Sequence, residues 1–154
     1  MKPGVFSQLY IQLVFAVKHR ENLLHREKGQ EVHKYMSGIL TGLKHKSIII
    51  NGMPDHIHIL FGLNPSVAIS ETVHALKRNS SLHINKQKFF RGKFSWQEGY
   101  GAFSYSRSQL DNVYQYIKNQ EKHHTKRSFR NEYVNLLNEY DVSYENQFLF
   151  DFME

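Results

Sequence analysis

Two histidines in the segment 55–60, Asp-His-Ile-His-Ile-Leu, have the type and spacing to do chemistry. If the segment is a β-strand, residues two apart share a face, so His56 and His58 project together while the isoleucines enter the core. Adjacent imidazoles disfavour joint protonation, and a shared metal ion is the simplest arrangement that keeps both neutral. By the same alternation, Asp55 should face away from His56. Because the pattern is short, a pair of ordinary strand histidines is the alternative.

A second candidate pair is Tyr116 with Gln120. In a helix these positions place a phenol oxygen and an amide oxygen on one face, one turn apart. Tyr114 lies about 200° around the helix from Tyr116 and faces elsewhere. Taken alone, the pattern also fits an amphipathic helix with a core tyrosine. His123 and His124 could replace or supplement the amide, because imidazole is the commoner ligand of transition metals.

The elements that must position these residues follow from hydrophobic periodicity. Alternating apolar residues predict strands over 8–18, 47–50, 56–63 and 102–106. Spacings of three and four predict helices over 26–45, from 66 or 70 to 84, and from 108 through 117. The order predicts an α+β fold with a ferredoxin-like βαββαβ core, an antiparallel sheet covered by helices on one face. A third helix and an acidic tail extend this core.

Composition limits the classes of function. The chain has 154 residues, enough for one domain, and its 40% hydrophobic residues are enough to form a core. The absence of cysteine excludes disulfides, thiolate metal sites and cysteine nucleophiles. A pI near 9.5 points to a polyanionic partner, most simply nucleic acid. No apolar run suits a membrane span or a signal peptide, so we expect a cytoplasmic protein without a membrane partner.

The positive charge is unevenly distributed. Residues 1–130 contain all 20 Lys and Arg against 8 acidic residues, a net +12, whereas 131–154 contain six acidic residues and no Lys or Arg, a net −6. We divide the chain there into a basic body and an acidic, aromatic-rich tail. That tail could fold over the DNA-binding face of the body and compete with nucleic acid, or it could pack on the body as a solvated helix.

Basic and aromatic residues alternate across the second predicted helix and the loop that follows it. Cations for phosphates and aromatic faces for unpaired bases are typical of proteins that bind single strands or hairpins. A solvated helix face followed by core aromatics is the alternative. The candidate DNA-binding residues are Lys77, Arg78, Arg91 and Lys93, with Phe89, Phe90, Phe94 and Trp96 among them.

The His-x-His strand and the later Tyr-x-x-x-Gln helix, in this order, resemble the HUH single-tyrosine transposases of the smallest bacterial insertion sequences, including their palindromic-repeat-associated relatives. The resemblance extends from about residue 7 to 124. It implies that His56, His58 and Gln120 bind a metal ion, that Tyr116 is the nucleophile, and that 1–130 is the catalytic domain. Further matching segments are Gly52-Met53-Pro54-Asp55, Leu76-Lys77-Arg78 with Ser80-Ser81, Trp96-Gln97 and Gly99-Tyr100-Gly101-Ala102-Phe103.

The resemblance also implies an activity: cleavage and rejoining of single-stranded DNA through a 5′-phosphotyrosine, after recognition of an imperfect hairpin. A phenol, with a pKa near 10, is a better leaving group than an alkoxide, which keeps the intermediate reversible. Two histidines and a glutamine leave open coordination positions and suit Mg²⁺ or Mn²⁺, and Zn²⁺ or Co²⁺ are chemically possible. The family further implies a homodimer in which the tyrosine helix of one subunit can complete the metal site of the other.

Two alternatives remain. One is a domesticated nicking endonuclease of the same chemistry that acts on repeated palindromes, and the other is a non-catalytic ferredoxin-like module that binds nucleic acid.

No general base for the phenol is evident in the sequence, so metal-assisted deprotonation is the default expectation.

Overall fold

The computed structural model describes residues 3–21, 23–123, 128–145 and 149. Its four strands form one antiparallel sheet in the order β2-β3-β1-β4, which confirms the ferredoxin-like α+β prediction. The strands are β1 (Tyr10–Ala16), β2 (Lys46–Met53), β3 (His56–Gly62) and β4 (Gly101–Tyr105). The helices are α1 (Arg26–Gly42), α2 (Ile69–Lys86), α3 (Leu110–Lys118), α4 (Gln120–His123) and α5 (Phe129–Glu139). Within the described ranges, none of these helices combines the length and the apolar character needed to cross a bilayer.

Side-chain alternation along β1 assigns the two faces of the sheet. Phe15 points to one face, where its ring meets Trp96 edge-on at a centroid distance of 4.9 Å. The Trp96 indole donates a hydrogen bond to Ser80 of α2, so helices α1 and α2 cover this face. Gln12 points to the other face, where it pairs with His58.

The C-terminal helices cover the histidine face, so helices lie on both sides of the sheet and not on one side alone. Helix α5 has an apolar stripe at positions i, i+4 and i+8, namely Phe129, Tyr133 and Leu137, each at most 6% exposed. This stripe needs an apolar partner, and the sheet face that α1 and α2 leave uncovered provides one. Gly101 permits the contact, because a Cβ there would lie 2.8 Å from the Tyr133 hydroxyl.

The hairpin that leads into the histidines is tighter than the sequence predicts. Strand β2 continues to Met53, which pairs with His56, so the turn contains only Pro54 and Asp55. Gly52 pairs with Ile57, and its missing side chain lets the two backbones approach closely. The short turn fixes the register of β3 and therefore the direction of both imidazoles.

Gly52→Ala should destabilise the protein by roughly 1–3 kcal/mol. The new Cβ would collide with the carbonyl oxygen of His56 and lie 2.9 Å from the Cα of Ile57, and neither backbone atom can move without disturbing the hairpin. Gly38→Ala is the matched control, because nothing lies within 4 Å of its Cβ on α1 and alanine there should stabilise by about 0.5–1 kcal/mol. Urea denaturation measures both, and equal midpoints for Gly52→Ala and the wild type would contradict the prediction.

Candidate active site

The two histidines of β3 share a face and are fully buried. Their ring centroids are 5.3 Å apart. Strand β3 lies between β1 and β2, so its backbone is held by neighbours on both sides. The His56 ring also stacks flat on Phe129 of α5, at a centroid distance of 3.8 Å and an interplanar angle of 2°. Both imidazoles are therefore rigidly oriented.

The Nδ1 nitrogen of each imidazole has a side-chain partner. Asp55 Oδ1 lies 2.7 Å from His56 Nδ1, so the expectation that Asp55 faces away is wrong. Asp55 belongs to the turn and not to the strand, and strand alternation does not govern its direction. Gln12 Nε2 lies 2.8 Å from His58 Nδ1, and Gln12 Oε1 accepts a hydrogen bond from Tyr105. The Asp55 carboxylate, which accepts from His56 Nδ1, is the kind of partner that orients a metal-binding histidine, whereas the Gln12 amide nitrogen donates to His58 Nδ1. Both contacts direct the Nε2 atoms into one space.

Tyr116 and Gln120 both reach that space, although they do not share one continuous helix. Helix α3 ends at Lys118, and Asn119 leaves the helical conformation before α4 begins at Gln120. Gln120 Oε1 lies 3.3 Å from His56 Nε2, and the Tyr116 ring lies 6.2 Å from the His58 ring.

Asn51 of β2 fixes the end of α3 beside the histidines. Its side-chain amide donates hydrogen bonds to the carbonyl oxygens of Ile117 and Lys118, at 3.0 and 3.1 Å. These carbonyls belong to the last turn of the helix, where the regular donor four residues later is missing. Asn51 is the cross-strand partner of His58, so this contact places the tyrosine helix against the histidine strands.

Glu132 of α5 is the residue that sequence reasoning missed. It is 1% exposed, and its Oε1 lies 2.9 Å from His58 Nε2 and 3.6 Å from His56 Nε2. Its Oε2 accepts hydrogen bonds from the Gln120 amide, at 3.1 Å, and from the Tyr116 hydroxyl. The only sequence signal is its place beside the apolar stripe of α5, three residues after Phe129.

The cluster favours a positive charge at its centre. His56 Nδ1 is paired with a carboxylate, and the Gln120 amide nitrogen is bonded to Glu132, which turns Gln120 Oε1 toward His56 Nε2. The lone pair of His56 Nε2 thus faces two acceptor oxygens, Gln120 Oε1 and Glu132 Oε1. This arrangement requires either a proton or a metal ion between them. Burial lowers the pKa of His56, but Asp55 and Glu132 outweigh burial and raise it above the ordinary value.

The donor atoms fit a divalent ion. His56, His58 and Glu132 form a buried group whose ligand atoms all lie within 4.8 Å of one another, and Gln120 Oε1 adjoins it. Adjacent ligands around a cation with bonds of about 2.1 Å are about 3.0 Å apart in octahedral geometry. The observed separations of 2.9, 3.3 and 3.6 Å are close to that value. The other suggested ligands, the His123 side chain and His124, lie outside what the structure describes.

The candidate DNA-binding residues divide into two kinds. Lys77 is partly buried, and its ammonium group donates to the carbonyl oxygens of Gln97 and Gly99 at 2.8 and 2.6 Å. Burial lowers the Lys77 pKa to about 8. Lys77 therefore holds the loop before β4 in place, whereas the exposed residues are Arg78, Arg91 and Lys93.

The aromatic residues of that loop belong largely to the core. Phe94 is 1% exposed and Trp96 is 9% exposed, and their rings meet at a centroid distance of 5.0 Å. For these two residues the alternative of core aromatics holds, and neither presents a face to a base. Phe89 and Phe90 are partly buried.

The known proteins that resemble this chain are transposases. The family described as "Transposase IS200 like" matches residues 5–120. The ISDra2 transposase TnpA of Deinococcus radiodurans is 28% identical over 123 residues, which is 76% of this chain and 87% of that protein. The transposase for insertion sequence element IS200 of Salmonella typhimurium is 27% identical over 113 residues, 70% of this chain and 74% of that protein.

Two solved structures share the fold. One, from Deinococcus radiodurans R1, superimposes with a TM-score of 0.59 at 26% identity, over 78% of this chain and 96% of that one. The other is a REP-associated tyrosine transposase bound to a REP hairpin. It superimposes with a TM-score of 0.60 at 12% identity, over 80% of this chain and 74% of that one.

Proposed function

The chain belongs to the family of IS200-like transposases, enzymes of DNA cleavage and strand transfer, and from that membership we propose its chemistry. Tyr116 attacks a phosphodiester of single-stranded DNA, forms a 5′-phosphotyrosine and releases a 3′-OH. A DNA 3′-OH then attacks the phosphotyrosine, rejoins the strand and restores the phenol. The observation that carries the proposal is the Tyr116 hydroxyl beside a buried cluster of two histidines, a glutamine and a glutamate.

His56, His58 and Gln120 are proposed to hold a divalent ion, Mg²⁺ or Mn²⁺. Such an ion acts as a Lewis acid on a non-bridging phosphate oxygen. The two imidazoles are oriented by Asp55 and Gln12, so the protein holds the site in shape before DNA arrives. A module that only binds nucleic acid has no use for this buried arrangement.

Glu132 supplies the proton acceptor that the sequence does not reveal. The Tyr116 hydroxyl donates its hydrogen bond to Glu132 Oε2, so that oxygen is placed to take the phenol's proton as the phosphorus–oxygen bond forms. The same oxygen can return the proton when the phosphotyrosine is resolved. The half-buried Tyr116 ring and the buried carboxylate also limit the access of water to the phosphotyrosine.

A single strand that folds into an imperfect hairpin is the proposed substrate. The hairpin-bound relative with the same fold and the exposed Arg78, Arg91 and Lys93 support this proposal. Domesticated cleavage of repeated palindromes would use the same residues, and the sequences that flank the gene distinguish it from transposition. Paired terminal hairpins indicate a mobile element, and scattered single palindromes indicate a domesticated enzyme.

One chain places Tyr116 against its own histidine pair, which supports cleavage in cis. The homodimer and the exchange of tyrosine helices between subunits stay predictions.

The decisive experiment is a covalent adduct assay. The protein is incubated with Mg²⁺ or Mn²⁺ and a 3′-labelled single strand from the gene's own flanks, so that the labelled fragment is the one left on the protein. We expect a labelled band that resists denaturing electrophoresis, and mass spectrometry should find the 5′-phosphate on Tyr116. A phosphate on another residue, or the same yield in chelator, would contradict the proposal.

The basic residues should separate into two classes when altered. Arg78→Gln, Arg91→Gln and Lys93→Gln should each reduce the slope of log affinity against log salt by about 0.7, because each loses one phosphate contact. Lys77→Met should leave that slope nearly unchanged but lower stability by roughly 1–3 kcal/mol, because two loop carbonyls lose a charged donor. Fluorescence anisotropy at several salt concentrations and urea denaturation measure the two effects. A slope that is independent of all four residues would contradict the assignment.

A further inference from the structure

Glu132 lies outside the part of the chain that the family comparison covers. The family match ends at residue 120, and Glu132 sits on α5 in the acidic segment beyond it. A carboxylate removed from water costs several kcal/mol unless charge and hydrogen bonds compensate it. Glu132 is nevertheless nearly completely buried, against the face of the sheet that carries His56 and His58.

The two carboxylate oxygens of Glu132 face different groups. Oε1 faces the imidazoles, 2.9 Å from His58 Nε2 and 3.6 Å from His56 Nε2. Oε2 faces the Tyr116 hydroxyl and the Gln120 amide nitrogen. We infer that Glu132 is a metal ligand through Oε1, so that the bound ion joins α5 to β3 and holds the helix closed over the site.

This inference rests on the proposed metal site and adds a ligand to it. Two histidines and a glutamine are all neutral, whereas Mg²⁺ and Mn²⁺ prefer oxygen ligands and are held most firmly where carboxylates contribute charge. Oε1 of Glu132 lies 2.9 and 3.6 Å from the two imidazole Nε2 atoms, near the separation of about 3.0 Å between adjacent ligands of one ion. A carboxylate with one oxygen on the ion and the other on the phenol would also fix the distance between them.

The packing of α5 delivers the carboxylate to this place. Phe129 stacks on the His56 ring, and the apolar stripe of the helix is buried on the sheet. Glu132 lies three residues after Phe129, on the same side of the helix. Because an ion that needs Glu132 binds only when α5 is docked, binding must stabilise docking by the same free energy.

Calorimetric titration with Mn²⁺ and Mg²⁺ tests this directly, without DNA and without an activity measurement. Glu132→Gln keeps the size of the side chain and its ability to accept from Tyr116, and we expect its dissociation constant for Mn²⁺ to rise tenfold or more. Glu139→Gln is the matched control, because it removes the same charge from an exposed position of the same helix. Its dissociation constant should stay within about twofold of the wild type.

Hydrogen exchange gives a second measurement, made on the wild type and on both variants. We expect Mn²⁺ to slow exchange of the amides of α5 in the wild type and in Glu139→Gln, but not in Glu132→Gln. Equal Mn²⁺ affinities for Glu132→Gln and the wild type would overturn the inference, as would an equal loss in Glu139→Gln. Faster exchange on adding Mn²⁺ would also overturn it, because the ion would then displace the carboxylate.

His56→Ala distinguishes this inference from the proposed function. If His56→Ala abolishes Mn²⁺ binding and Glu132→Gln does not, the histidine site stands and only the role of Glu132 fails. If His56→Ala binds Mn²⁺ like the wild type, the proposed metal site fails as well.

Discussion

Tyr116→Phe should abolish the covalent protein–DNA adduct and strand transfer, with a loss of about 10⁴-fold or more, the usual scale when a nucleophile is removed. The substitution removes only the oxygen that would attack phosphorus. The remaining ring still packs beside His58, so the shape of the site is kept. Affinity for the single strand should change less than about twofold, because the exposed cations that would contact phosphates are unaffected.

The cluster should tolerate this change. Glu132 loses the hydrogen bond from the phenol but keeps Gln120 on the same oxygen and His58 on the other. Loss of one buried hydrogen bond costs about 1–3 kcal/mol, which an ordinary domain with 5–15 kcal/mol of stability survives. Thermal denaturation of Tyr116→Phe should therefore show a single cooperative transition at a lower temperature than the wild type.

Tyr114→Phe is the matched control. It removes the same hydroxyl from the same helix two residues away, at a half-buried position. Its adduct yield should equal that of the wild type in the same assay. An adduct that persists in Tyr116→Phe, or that is lost equally in both variants, would refute the assignment of the nucleophile.

The core elements could be predicted from the sequence because burial leaves a periodic pattern. Strand β1 alternates between a face on α2 and a face on the histidine side, and its residues 11–16 are all buried. The sequence predicts an end of α2 at 84, and the helix ends at Lys86. In β2 the turn-forming residues 51–53 still pair with β3, because cross-strand hydrogen bonds outweigh local turn preference there.

The site could be predicted as far as its residues are near neighbours in the sequence. His56 and His58 are two apart on a strand, and Tyr116 and Gln120 are close in sequence, so local geometry brings each pair together. Glu132 meets His58 across 74 positions in the chain, and no local rule links the two. The net charge of residues 131–154 gives no sign of Glu132 either. Such a count treats every acidic residue as solvated, and it cannot show that the helix carrying Glu132 buries one face.

His56→Ala should abolish metal-dependent cleavage. We expect the cleavage rate to fall by about 10³-fold or more, because the cluster loses a ligand and with it the bound metal ion. The ring is fully buried and stacked on Phe129, so its removal also leaves a cavity costing about 2–4 kcal/mol. His56→Gln, which fills more of that space, separates the loss of the ligand from the loss of packing. Mn²⁺ titration and the adduct assay measure both variants.

His45→Gln is the control for removing a buried histidine. His45 is 6% exposed, but its ring bonds Thr72 and the backbone amide of Asn64, away from the cluster. It should lose stability while keeping Mn²⁺ affinity and adduct yield. Chelation of the wild type should reproduce the defect of His56→Ala without its loss of folding stability from packing. Full cleavage by the wild type in chelator would refute a role for the metal.

Mixing the two inactive variants determines which chain supplies each part of the site. His56→Ala retains an intact Tyr116, and Tyr116→Phe retains an intact metal site. Because one chain holds Tyr116 against its own Glu132 and His58, we expect the mixture to form no adduct. Restored adduct on the His56→Ala chain would show that its tyrosine reaches the partner's metal site, which requires a dimer and the release of α3 from Glu132.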